Sequence, residues 1–119
     1  MRVIRVTKAG REKSDNPIFV GDVDYQTVVG EELSHDLSLS EVHFKRGAVN
    51  KPHVHSTDQI LVITEGEGIV ATDSERHEVT AGDVAFIPAD TKHWHGALPR
   101  KDMTHWSILA NGKTTIVGE

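Results

Sequence analysis

The chain has 119 residues, 37% apolar and 26% charged, with a formal net charge of −5, eight histidines and no cysteine. That length fits one domain, whose folding hides about two-thirds of the unfolded chain's surface. The lack of cysteine excludes disulfides, thiolate metal sites, iron–sulfur clusters and thiol catalysis; the acidic balance argues against nucleic acid, and no apolar run approaches the ~20 residues of a membrane span.

The opening run Met1–Lys13 has no long apolar segment of secretory type, so an intracellular, cytoplasmic protein is expected. Short apolar runs and alternations, separated by Gly, Asp, Asn and Pro, predict strands at Val3–Thr7, Tyr25–Val29, Leu37–Lys45, Gln59–Thr64, Gly68–Thr72, Glu75–Val79, Asp83–Ile87, Lys92–Gly96 and Met103–Ala110. Lys8–Ser14 reads as a short helical turn or an exposed loop, and Phe19 and Val20 are expected to pin the next stretch to the core. Glu65–Gly68 suits a tight reversal, because glycine accepts positive φ without a Cβ clash. Thr72–Glu75 reads as a second hairpin turn, and Ala81–Asp83 and Pro88–Thr91 as further turns. Many short strands with almost no helical periodicity indicate an all-β sandwich or barrel.

Two His-x-His pairs stand out, His53-Val54-His55 and His93-Trp94-His95. Residues i and i+2 of an extended strand point to one face, so both rings of a pair are able to reach one metal ion. Chance alone supplies ~0.5 such pair at this histidine content, so the pairs gain their weight from what surrounds them. The first lies in Gly47-x5-His53-x-His55-x3-Gln59-x6-Gly66 and the second follows Gly82-x5-Pro88-x-Asp90-x2-His93.

Position by position, these segments resemble the two motifs of the cupin superfamily. The resemblance, with the spacer, runs from Gly47 to Ala97. It implies a double-stranded β-helix, or jelly roll: a single domain over residues 1–119 with its metal-binding core at 47–110. Three positions depart from the family pattern. Gln59 stands for a glutamate ligand, Asp90 for a glycine and Ala97 for an asparagine. The runs Gly82–Ala97 and Met103–His105 are similar to a subgroup of small bacterial cupins that includes the cupin-type hydroxynitrile lyases. That subgroup holds manganese or another divalent metal through three His and one Gln. Pro52, where the subgroup has an aromatic residue, and Ser56–Asp58 differ from it.

Carried over by motif, the ligands are His53, His55, Gln59 and His93, with His95 and His105 as catalytic or supporting groups on the same cavity. Three imidazoles and a carbonyl oxygen suit manganese, iron, zinc, nickel or cobalt. Neutral Gln59 leaves the full +2 charge on the centre, which strengthens it as a Lewis acid toward a small anion or a carbonyl oxygen. A neutral imidazole nearby is suited to take a proton as general base.

Strand parity assigns Ser40, Val42, Phe44, Leu61 and Leu109 to the lining of a mostly apolar pocket for a small organic ligand. Trp94 and Trp106 have the opposite parity and are expected between sheets or at a dimer contact. His43 is expected to face solvent, and His35 and His77 have no functional context. Small cupins commonly pair through outer strands, so the resemblance implies a homodimer, with Val3–Thr7 adding to a neighbour's sheet. It implies a metal-dependent, lyase-like enzyme on a small carbonyl or hydroxy compound, cleaving a cyanohydrin or a related carbon–carbon bond. An iron-dependent dioxygenase and a non-catalytic ligand-binding domain stay open beside it.

Overall fold

A computed structural model describes residues 1–118. After a 3-10 turn at Lys8–Gly10 come twelve strands: β1 (Glu12–Lys13), β2 (Phe19–Val20), β3 (Val23–Val29), β4 (Leu37–Phe44), β5 (Val49–Asn50), β6 (His53–His55), β7 (Gln59–Ala71), β8 (Arg76–Thr80), β9 (Val84–Ile87), β10 (Trp94–Ala97), β11 (Met103–Ala110) and β12 (Thr114–Ile116). Every ladder is antiparallel. Ten strands form one curled sheet in the order β1-β3-β4-β11-β7-β10-β5-β2, with β8 and β9 also paired to β7, and β6 and β12 form a separate ladder. The all-β jelly roll is the architecture that the motifs implied.

The central strand β7 corrects the sequence expectation. Gln59–Thr64 and Gly68–Thr72 are not two strands of a hairpin but parts of one 13-residue strand. Its first half pairs with β11 and β9, its second with β10 and β8. Gly66, at φ +77, lets the strand turn from one half of the jelly roll into the other. A Cβ there would run into the Asp102 carbonyl, so the position needs glycine, though not for a reversal. The turn at Thr72–Glu75 does form, closed by the Thr72 N–H on the Glu75 carbonyl at 2.9 Å.

Val3–Thr7 forms no strand and is largely exposed. Among the described residues it has no ladder partner. Phe19 does pack on the core, but Val20 is half exposed. β12 was not expected, because Thr114-Thr115-Ile116 is too short to register as a strand.

The alternation of β4, β7 and β11 drives one set of side chains inward. At the closed end Val23, Phe44, Ala48, Ile63, Ala97 and Met103 form an apolar core. Leu61, Val70 and Ile87 form a second. Outward-facing Trp106 is half-buried, with Nε1 3.4 Å from Glu41 Oε2, and Glu41 is in turn held by Arg11 Nε at 2.7 Å. Trp94 lies outside under the Arg76 guanidinium. His43 is half-buried rather than free in solvent, its Nδ1 2.7 Å from Thr104 Oγ1.

Candidate metal centre

Backbone pairing brings the two histidine motifs together. His53 and His93 exchange both backbone hydrogen bonds, at 3.0 and 3.1 Å, in an isolated antiparallel bridge. Directly opposed residues of such a pair project to the same side. His55 follows two residues along β6 and joins them, so one ring nitrogen from each of His53, His55 and His93 lies within 4.8 Å of the others. Gln59 arrives on a different strand. The odd-numbered parity it shares with His53 and His55 is a coincidence, because Ser56–Asp58 breaks the extended chain between β6 and β7.

The turn at Pro88–Thr91 sets up His93. Asp90 has φ +64 and is the one non-glycine residue at positive φ among those described. This is the family's glycine position; a short polar side chain is tolerated there at a small steric cost. The Asp90 N–H donates to the His55 carbonyl at 2.8 Å, fastening the turn to β6.

The outer nitrogens of the three rings are all occupied. His53 Nδ1 donates to the Lys51 carbonyl at 2.7 Å and His93 Nδ1 to the Thr91 carbonyl at 2.9 Å, while His55 Nδ1 lies 2.8 Å from Thr114 Oγ1. The two carbonyls fix the proton of His53 and His93 on Nδ1, so these neutral rings present the Nε2 lone pair inward. His55 Nε2 is buried with no hydrogen-bond partner. Gln59 Nε2 donates to Ser107 Oγ at 2.8 Å, which turns Oε1 toward His93 Nε2, 3.1 Å away. Two acceptors that close repel unless a cation lies between them. These residues fit a divalent metal: four neutral donors converge, their orientations fixed by a second ring of hydrogen bonds.

Burial holds the His53 and His55 rings down to about 4 and lowers His93 as well. All three are therefore neutral, ligand-competent imidazoles near pH 7.

His95 and His105 lie deeper, with His105 Nε2 3.0 Å from His95 Nδ1. Phe44 packs against both, its ring centroid 5.3 Å from His105 and 5.9 Å from His95. Burial pushes His105 down to about 4 and His95 well below its ordinary value. Asn50, which sequence reasoning missed, accepts the His95 backbone N–H at 2.8 Å, and its amide nitrogen lies 3.2 Å from His95 Nε2. Nothing in the motif spacing marks Asn50 or Thr114, because both act through tertiary contacts.

A cavity of about 300 Å³ opens over this cluster. Ser40, Val42, Phe44 and Leu109 line it together with His53, His55, Gln59, His95 and His105. Leu61 is not part of that lining. It shares the inward face of Gln59 but is fully buried in the core against Val70 and Ile87. Tyr25, Thr27, Ser38 and Ser107 add hydroxyls, so the pocket is more polar than parity suggested. Among the described residues, no helix is long and apolar enough to cross a membrane.

Comparison with known proteins agrees with this geometry. The family profile described as Cupin domain matches residues 40–108. The chain is 37% identical over 109 residues to an (R)-mandelonitrile lyase of Granulicella tundricola, covering 91% of this chain and 83% of that protein. It is 33% identical over 75 residues to the dimethylsulfoniopropionate lyase DddW of Ruegeria pomeroyi, covering 61% of this chain and 49% of that one. Among solved structures, a cupin-like protein of Thermotoga maritima superposes with a TM-score of 0.85 at 29% identity, over 90% of this chain and 84% of that one. Relatives named as lyases and three histidines able to hold a metal ion thus occur together.

Proposed function

The chain belongs to the cupin family, and from that premise we propose that it is a divalent-metal-dependent lyase for small hydroxy or carbonyl compounds, with cyanohydrin cleavage as its reaction type. The observation that carries the reading is the convergence of His53, His55, His93 and Gln59 beside one cavity, which His53, His55 and Gln59 line together with a buried imidazole pair, His95–His105. The similarity to a mandelonitrile lyase over most of both chains supplies the reaction type.

In this reading manganese is the first candidate, with iron, zinc, nickel and cobalt accepted by the same donor set. The bound ion supplies Lewis acidity, drawing developing negative charge toward the donor cluster. The protein does the rest. Val42, Phe44 and Leu109 exclude water and seat the carbon skeleton. His105 or His95, neutral near pH 7, takes the proton of the substrate hydroxyl. The O–H electron pair becomes the second bond of a carbonyl, and the bond to the nitrile carbon breaks with its pair leaving as cyanide. The proton, shared across the 3.0 Å contact between the rings, then passes to cyanide, giving hydrogen cyanide and an aldehyde. Residues 1–119 carry this out as one domain.

The test is cyanide and benzaldehyde release from mandelonitrile by manganese-loaded protein, beside chelated protein and the His105→Asn variant. Release is expected only from the loaded protein, and at least about a hundredfold slower from the variant. Loaded protein that releases no more cyanide than buffer contradicts the reading.

A further inference from the structure

The cavity has a second polar surface besides the imidazoles. Strand register places Tyr25, Val42 and His105 in one row across β3, β4 and β11, and Thr27, Ser40 and Ser107 in the next. Adjacent strands lie about 4.8 Å apart, so the backbones of His105 and Tyr25 are about 10 Å apart with Val42 between them. Both side chains border the same cavity.

Tyr25 OH is 2.8 Å from Ser40 Oγ, and Thr27 Oγ1, at the rim, donates to Tyr25 OH at 3.4 Å. Three hydroxyls bring three protons to these two contacts. If Tyr25 donates to Ser40, the Ser40 proton is left over; if Ser40 donates to Tyr25, the Tyr25 proton is. Either way one O–H is unspent at the cavity wall. A wholly apolar ligand would strip that donor of water and leave it unpaired, whereas an oxygen on the ligand would accept it. Polarity here is not imposed by the fold, because the next inward position down each strand is apolar: Val23 below Tyr25 and Val42 below Ser40.

We infer that the Tyr25–Ser40 pair is a specificity element that selects substrates carrying a second oxygen besides the one on the reacting carbon, the hydroxylated aromatic aldehydes and their adducts rather than plain aryl ones. The choice of probe rests on the lyase reading. The hydroxyl wall does not.

The test measures binding, separately from turnover. Manganese-loaded protein is titrated calorimetrically with 4-hydroxybenzaldehyde and with 4-methylbenzaldehyde, which has a methyl where the first has its hydroxyl. The hydroxy ligand is expected to bind about tenfold more tightly. A Tyr25→Phe/Ser40→Ala double variant is expected to bring the two within about twofold at unchanged metal content. Either single variant keeps one donor and therefore most of the preference. Equal affinities in the unsubstituted protein overturn the inference, whether or not the double variant folds. So does a preference that survives in a folded double variant. Preference intact without cyanide release would remove the lyase reading alone; cyanide release without preference would remove this one alone.

Discussion

The two ends of the barrel interior are built from the same strands and do opposite work. At the closed end Met103, Phe44 and Val23 form a row of fully buried apolar side chains across β11, β4 and β3. Two residues further along, about 7 Å away, the row is His105, Val42 and Tyr25, and the space opens into the cavity. Strand alternation decides only that a side chain points inward. Its position along the strand decides how far it meets other side chains, and holds the fold, or meets the cavity, and is free for chemistry; Phe44, at the boundary, does both. Stability and function should therefore separate under substitution.

Met103→Ala is the strongest way to probe the closed end. It should cost about 2–5 kcal/mol of stability through lost burial and an unfilled cavity. The folded fraction should still bind one metal per chain, which denaturant melts beside elemental analysis would check. A proportionate loss of metal would break the separation.

Acid probes the other end. His105 sits at about 4 when folded and near 6.5 when unfolded, so the unfolded chain binds the proton first as pH falls. Its contribution is complete above about pH 6.5 and is lost progressively down to about pH 4, reaching about 2 kcal/mol at pH 5. His95 acts in the same direction. Metal-free protein should therefore melt at clearly lower temperature at pH 5 than at pH 7, and thermal melts across that range would measure it.

Thr114→Val sharpens the contrast further. It removes the hydroxyl that orients His55 and should weaken metal affinity about 10–100-fold, with little change in the metal-free melting temperature. Competition with a metallochromic chelator reads it out. The smallest effect is expected from Asp90→Gly. Relief of the positive φ should raise stability by up to about 1 kcal/mol, with the donor cluster undisturbed. A paired thermal melt is sufficient to detect it.

The sequence announced the inner face well. β11 is the predicted Met103–Ala110 without change, and β4 ends one residue before its predicted end at Lys45. The cupin resemblance also implied His53, His55 and His93 as partners, and the three do lie together. The sequence was misleading at Gly66, where a glycine-rich run reads alike whether the chain reverses or merely bends, and only the approach of the Asp102 carbonyl distinguishes them. It was silent on Thr114, Asn50 and the carbonyls of Lys51 and Thr91, which fix ring orientation through contacts that no local pattern records. Leu61 shows the limit of parity: it points inward as expected, but into packing rather than the pocket.

The central claim is that three imidazoles and one carboxamide grip a single cation. Anomalous diffraction from crystals of the manganese-loaded protein tests it most directly. The account requires one strong peak bonded to Nε2 of His53, His55 and His93 and to Oε1 of Gln59. A lattice of well-ordered protein with no peak there, or with manganese only at surface carboxylates, would contradict it.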